Sequence, residues 1–352
     1  MLNCKFTDTY NKFILIFCLT IFQIFQMTAE AFTLALTGDI MMGTTYSEPQ
    51  LPSNDGRLLF WYVSPTLQSA DFAMGNLEGT LCDTDPTPRH CHDSTTCYIF
   101  KTPQQYALNL MYAGFDAVSI ANNHINDFGN EGRDSTVSAL KKAKIAYAGL
   151  KKRCETAIIV RNGKRIGICC FSPNAVTVDL RDIIYATTLV RSLHEKCEYV
   201  IVSFHGGAEG KDCLHITRED EYCFGELRGN VYQFAHACID AGADLIFGHG
   251  PHVPRGLELY KGHLIAYSLG NFCTPYGIGI RGVNGYAPLL FVEIDDNGMF
   301  VKGRIESYIQ RKGAGPVKDP KDQAAQLMKK LSAEDFPDNE LFFDGNTIIR
   351  QH

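Results

Sequence analysis

Five times along this chain an apolar run of strand length stops at a cluster of polar side chains, and that recurrence restricts the fold more than any other feature. Phe32 to Leu36 stops at Gly38-Asp39, Asp71 to Gly75 at Asn76-Leu77-Glu78, and Tyr199 to Phe204 at His205-Gly206-Gly207-Ala208-Glu209. Ala243 to Phe247 stops at Gly248-His249-Gly250-Pro251-His252, and Val118 to Gly129 reads V-S-I-A-N-N-H-I-N-D-F-G. A carboxylate, carboxamide or imidazole at the mouth of a buried strand is costly unless it meets a partner. One such end reads as an Asn-rich turn whose side chains bond their own backbone. Five of them describe an α/β sheet whose ligand-type residues gather in the crevice at the strand carboxyl ends.

The segments between these runs agree with an α/β class. Thr102-Pro103 opens a helix to Ala113, with proline where no donor is lost, and Gly132 to Lys144 is amphipathic around Val137, Leu140 and Ala143. Asn162-Gly163, Lys261-Gly262 and Asp296-Asn297-Gly298 each separate two strand-like runs and read as hairpin turns. Alternating α/β units therefore come first, and hairpins add antiparallel strands afterwards.

Residues 1–31 stand apart from this fold. Lys5 and Lys12 precede an uncharged run from Phe13 to Phe25, and Ala29-Glu30-Ala31 supplies the small residues of a cleavage site. The expectation is a signal peptide cut after Ala31, with an uncleaved membrane anchor as the alternative, since the run is short for a span of about twenty residues. Either way the folded part is expected to be secreted or periplasmic. Residues 32–310 form the main domain, and 311–352 a linker, a helix from Asp319-Pro320 to about Leu331, and a polar tail with an isolated Leu341-Phe342-Phe343.

That location changes how the 13 cysteines are read, because removing Cys4 and Cys18 leaves 11 where disulfides persist. Bridges are expected in the loop of Cys82, Cys91 and Cys97 and in the loop flanked by Cys213 and Cys223. Zinc held with His90 and His92 is the competing reading of the first loop, although no paired C-x-x-C is present. Cys169, Cys170 and Cys238 sit in apolar runs and read as buried thiols. A formal net charge of −6 leaves no basic footprint for nucleic acid.

The chemistry follows from the donor types. Asp39, Glu78, Asn123, His205, His249 and His252 make a mixed nitrogen and oxygen set that suits Mn, Zn or Fe rather than an all-oxygen cage for Ca or Mg. Glu78 is the candidate bridge between two ions. His124 is the candidate proton donor to a leaving group, with Asp127 positioning it; Glu209 is either a further catalytic carboxylate or a solvated one. His236 and His263 read as packing or surface residues.

Taken in order, six motifs carry a resemblance. They are Gly38-Asp39-x-Met41, Asn76-Leu77-Glu78, Ala121-Asn122-Asn123-His124-x-x-Asp127-x-Gly129, His205-x-Gly207-x-Glu209, Gly242-Ala243-Asp244 with Gly248-His249-x-Pro251-His252-Val253, and Tyr267-Ser268-Leu269-Gly270-Asn271-Phe272. Over about residues 33 to 310 the chain resembles the bacterial capsule synthesis (CapA, poly-γ-glutamate synthesis) family. That family in turn is similar to calcineurin-like metallophosphoesterases, whose ligands would fall on Asp39, Glu78, Asn123-His124, His205 and His249/His252.

The resemblance implies a layered α/β/α sandwich with mixed sheets, one or two divalent metal ions, and a site lined by Asn76, Ser268 and Asn271. It also implies a cell-envelope role with an anionic polymer or phosphoester as substrate and a membrane-bound polymer synthase as partner. Departures from the family pattern are Thr44 for a common Arg, Gly206 and Gly210 for aromatics, and Gly250 for a His; Met41 replaces the phosphoesterases' first-motif His. The missing aromatics imply a roomier or differently shaped pocket, and the missing ligands one metal, weaker metals or none. A metal-dependent hydrolase is one expectation, and a non-catalytic component that binds polymer or assists the synthase is the alternative.

Overall fold

The computed structural model describes residues 31–90 and 97–351, so the leader reading of residues 1–31, together with Cys91 and His92, falls almost wholly outside the described residues. Among the described residues no helix is long and apolar enough to cross a membrane.

The apolar runs become the inner strands of two sheets. The first sheet is built in the order Leu341–Asp344, Thr347–Arg350, Phe300–Gln310, Tyr286–Ile294, Phe32–Ile40, Phe72–Leu77, Ala117–Ser119, Ala146–Ala148, with Asn271–Cys273 and Pro316–Lys318 paired alongside. The second runs Leu257–Tyr260, His263–Ala266, Leu245–His249, Tyr199–His205, Lys164–Phe171, Thr156–Arg161. Strands that end in ligand-type residues pair in parallel, and the hairpin strands close the flanks antiparallel.

Alternation along a strand decides which layer each side chain joins. Leu34, Leu36, Phe72 and Met74 from the first sheet meet Ile168, Ile201, Leu245 and Phe247 from the second, all fully buried between the sheets. Their neighbours Ala35, Ala73 and Val118 face the helices Ser64–Ser69, Ala107–Ala113 and Gly129–Lys142. On the far side, Cys169, Val200, Val202 and Ile246 face the helices Ile183–His194 and Val231–Asp240. The expected α/β/α layering is present, and its β layer is double. Both faces of each inner strand are covered, which is why those strands read as continuous apolar runs.

Turn chemistry fixes the hairpins. Asn162 and Gly163 have φ of 49° and 75°, and Lys261 and Gly262 have 53° and 83°, the paired left-handed positions that a two-residue hairpin turn requires. The carboxyl end differs from the tail read in the sequence. The helix spans Gln323–Asp335, with Asp319 Oδ2 accepting from Gln323 N at 2.7 Å. Leu341-Phe342-Phe343 then opens a hairpin that extends the first sheet, pairing Arg304 with Thr347 and placing Leu341 and Ile348 in the inter-sheet core.

The cysteines divide. Cys169, Cys170 and Cys238 are fully buried, and burial pushes the Cys170 thiol up to about 12. Cys97 is disulfide-bonded, as expected of its loop, and Cys82 is free. Cys213 and Cys223 are also free, contrary to the bridge expected between their flanks. Arg255 Nε donates to the backbone oxygen Cys213 O at 2.8 Å, which ties that segment to the buried guanidinium instead.

Candidate metal centre and its cleft

Register does the first part of the assembly. Parallel pairing sets Asp39 opposite Asn76 on one side and Asn271 on the other, and sets His249 opposite His205 in the second sheet. The strand ends of the two sheets then converge, so that one ligand atom each from Asp39, Glu78, His205 and His252 lies within 4.8 Å of all the others. Asp39 and Glu78 are 0% exposed, in a place where two carboxylates need strong compensation.

The imidazoles supply part of that compensation. His252 Nδ1 lies 3.0 Å from Asp39 Oδ2 and 3.0 Å from Asn271 Oδ1, and His205 Nε2 lies 3.3 Å from Glu78 Oε1. His249 Nδ1 is 3.3 Å from Asp39 Oδ1 without the alignment of a hydrogen bond, and Asn76 Nδ2 donates to that same oxygen at 2.8 Å. Burial opposes ionisation of Asp39, yet the His249 and His252 imidazoles hold its carboxyl well below the usual range. Burial and the Asp39 charge oppose ionisation of Glu78, and His252 and His205 outweigh them, so it too is lowered. Burial lowers His252, but the Glu78 and Asp39 carboxylates override it and raise the imidazole to about 10. His252 holds a φ of 57°, a left-handed conformation that a non-glycine residue adopts at a cost where the surroundings dictate it.

A metal ion would meet unused donors here. Glu78 Oε2, Asn123 Oδ1, His205 Nδ1 and both ring nitrogens of His249 are buried with no hydrogen-bond partner among the described residues. Unpaired buried polar atoms are rare in folded proteins, and several on the residues of one cluster and its neighbours mark a place suited to a ligand. The donor set fits a transition ion such as Mn, Zn or Fe.

His124 sits beside this cluster with its own support. Its Nδ1 is 2.9 Å from Asp127 Oδ2 and its Nε2 4.0 Å from Glu78 Oε1. Burial lowers His124, but the Asp127 charge and hydrogen bond prevail and raise it. Asp127 is held in turn by Arg89 Nε at 2.8 Å and Phe100 N at 2.8 Å. Asn122, quoted in the sequence motif without a role, links the strand ends: its Nδ2 donates to Asn76 Oδ1 and Leu77 O, and its Oδ1 accepts from His124 N.

A cleft of about 1150 Å³ opens over the centre, lined among others by Asn123, His124, Glu209 and His252, with Asp39, Glu78 and His205 buried beneath it. The three residues expected to line the site for substrate lie elsewhere. Ser268 Oγ donates to Val253 O and accepts from Gly270 N, Asn76 serves Asp39, and Asn271 holds His252; all three are 0% exposed and none lines the cleft. The glycines in place of family side chains sit back to back. A Cβ on Gly250 would meet Gly206 O at 2.6 Å, and one on Gly206 would meet Leu180 Cδ2 at 2.6 Å and Arg228 O at 3.0 Å. The glycine at 206 makes room for the cleft wall rather than for a larger substrate.

The family model described as Bacterial capsule synthesis protein PGA_cap matches residues 33–276. The chain is 28% identical over 313 residues to the capsule biosynthesis protein CapA of Bacillus anthracis, covering 84% of this chain and 71% of that protein. It is 26% identical over 268 residues to the PGA biosynthesis protein CapA of Bacillus subtilis (strain 168), covering 70% and 64%. A solved 5'-nucleotidase precursor from Thermus thermophilus aligns over 86% of this chain and 58% of that one, at 15% identity and a TM-score of 0.43. That superposition is too loose to carry chemistry across.

Proposed function

The chain belongs to the bacterial capsule synthesis protein family, and from that premise we propose that it serves the synthesis, attachment or export of an anionic polymer through a metal-dependent hydrolytic site. The observation that supports this reading is the convergence of Asp39, Glu78, His205 and His252 beneath a cleft, with unpaired donors around them. The substrate is a phosphoester or an amide of a γ-linked acidic chain, and the partner is a membrane-bound polymer synthase. The protein works in the envelope, secreted, periplasmic or held by residues 1–31.

In this reading Asp39, Glu78, His205 and His252 hold the ion, and His249 and Asn123 complete its surroundings. A bound divalent ion supplies Lewis acidity toward a phosphoryl or carbonyl oxygen. The chain's own residues do the rest. Asn76 and Asn271 fix the rotamers of Asp39 and His252 through the bonds at 2.8 and 3.0 Å. Asp127 keeps the proton of His124 on Nδ1 and favours the imidazolium, so Nε2 presents a proton toward the leaving group. Burial of the floor excludes water from everything except the cleft opening.

The test is metal analysis of the purified protein, with turnover of a chromogenic phosphodiester and of poly-γ-glutamate. Bound Mn, Zn or Fe with turnover of either substrate is expected. No transition metal, and no turnover after Mn or Zn is added, overturns the hydrolytic reading in favour of a polymer-binding or synthase-assisting component.

A further inference from the structure

Two buried arginines lie near the cleft, and they differ in how well their donors are met. Arg255 is 1% exposed, and its guanidinium donates to Cys213 O, Ala208 O and both oxygens of Glu221 at 2.7 to 3.3 Å. It is a satisfied structural tie. Arg228 is 7% exposed, and its Nε is buried without a partner. Its nearest carboxylates stand off, Glu209 at 3.4 Å and the exposed Glu226 at 3.5 Å from Nη2, and no hydrogen bond of its side chain is formed among the described residues. A guanidinium cannot shed its charge, so a buried Nε left unmet, with only two long ion pairs at Nη2, is expensive.

The position of Arg228 explains what would meet them. It lines the same cleft as His124 and His252, on the short strand Glu226–Gly229, which pairs with Glu221–Cys223 and is braced where Arg228 O accepts from Gly207 N. Glu209 Oε1, facing Arg228, is itself buried without a hydrogen bond. Arg281 lines the cleft as well, as do Glu209 and Glu226 and the Arg89 that is tied to Asp127, so Arg281 and the buried Arg228 are the cleft arginines open to an acidic ligand.

We infer that Arg228 is the anion-recognition residue of this cleft: its guanidinium fork receives an oxyanion of the substrate, a carboxylate or a phosphate, next to the metal centre. Glu209 is the loose counter-ion that holds the fork until the ligand enters. The fork suits a two-point grip on a planar carboxylate or on two phosphate oxygens. This inference rests on reading the cleft as a substrate site, and it names the substrate's chemical class and the residue that selects it.

The experiment is calorimetric titration of the full chain, with and without Mn, by γ-linked tri-glutamate, by inorganic phosphate and by neutral tri-glutamine. Saturable tri-glutamate binding is expected, weakened roughly 10- to 100-fold in Arg228→Gln, with Arg228→Lys in between, unchanged metal content, and weak tri-glutamine binding throughout. Phosphate that competes with tri-glutamate assigns the site to oxyanions in general, and phosphate that does not assigns it to carboxylates. Equal affinities of wild type and Arg228→Gln, or no binding of either anion to wild type, overturn the inference. Should Arg228→Gln melt early, the Arg228→Lys titration decides, because it keeps the charge and removes only the fork. Arg228-dependent binding in a chain that takes up no metal leaves this inference standing while the hydrolytic reading falls. Metal uptake and turnover with an indifferent Arg228→Gln do the reverse.

Discussion

The two ends of the parallel strands carry the same kinds of residue and treat them in opposite ways. At the amino ends an acid stands just before each of four strands and accepts the backbone N–H at the start of the neighbouring one. Asp71 takes Thr33 N at 2.7 Å, Asp116 takes Ala73 N at 2.8 Å, Glu198 takes Arg165 N at 2.7 Å, and Asp244 takes Val200 N at 2.7 Å. Arg161 and Arg165 add guanidinium partners to Asp116 and Glu198. At the carboxyl ends Glu78, Asn123, His205 and His249 keep unpaired atoms. Strand amino ends offer donors and carboxyl ends offer carbonyl acceptors, so only at the amino ends does the neighbouring strand itself answer a carboxylate. At the other end the partners come from side chains and loops, as Asn76 and His252 serve Asp39 and Arg89 and Phe100 N serve Asp127, and unpaired atoms are left open to a metal or ligand.

The largest effect expected from breaking this contrast is at Glu78. Glu78→Ala should strip the metal and reduce turnover by well over the roughly 100-fold that even a supporting residue costs, read by elemental analysis and rate together. Unchanged metal stoichiometry would show that Glu78 is another buried acid of the structural kind.

His124→Ala should keep the metal and lower the rate by about 10²- to 10⁴-fold, the usual worth of a positioned proton donor. If the metal is lost with the imidazole, His124 belongs among the ligands and the role assigned to it is wrong.

Asp244 sharpens the contrast from the structural end. Burial pushes its carboxyl from 3.8 up to about 7, so folding takes up a proton between those values. Stability should therefore fall as pH rises from about 4 to about 7 and level off above, by on the order of 4 kcal/mol at most. In Asp244→Asn, whose amide oxygen still accepts from Val200 N, denaturant melts should lose that slope while metal content stays unchanged. A slope identical to wild type would remove Asp244 as its source.

The smallest effect is expected at Asp116. Asp116→Asn keeps an acceptor for Ala73 N and weakens the half-exposed pair with Arg161, which should cost about 1 kcal/mol in chemical denaturation and nothing in turnover. A loss of activity there would mean that the two strand ends are coupled.

Some features are legible because they are local. Asn162-Gly163 and Lys261-Gly262 dictate their own turns, and polar residues at the mouths of apolar runs announce the buried cluster of Asp39, Glu78, His205 and His252 before any contact is known. Others take a partner that the sequence does not name. Ser268, Asn76 and Asn271 are expected to face substrate, and instead bond the backbone, Asp39 and His252. Leu341-Phe342-Phe343 reads as an isolated patch in a tail because its partner strand, Thr347–Arg350, has only Ile348 and Ile349 to mark it. Arg228 gives no signal, because one arginine in a polar segment reads as solvated until its burial is known.

By itself the sequence determined the α/β class, the inner strands, the hairpin turns and which polar residues stand at the strand mouths, since each follows from the cost of burying a given group or from the conformations a residue allows. Whether the covered strands form one sheet or two, which acid meets a backbone donor, and which arginine is left unpaired were decided only by the tertiary structure. Those are properties of what lies across a gap from a side chain, and a residue carries its own donors and charge but not the identity of its partner.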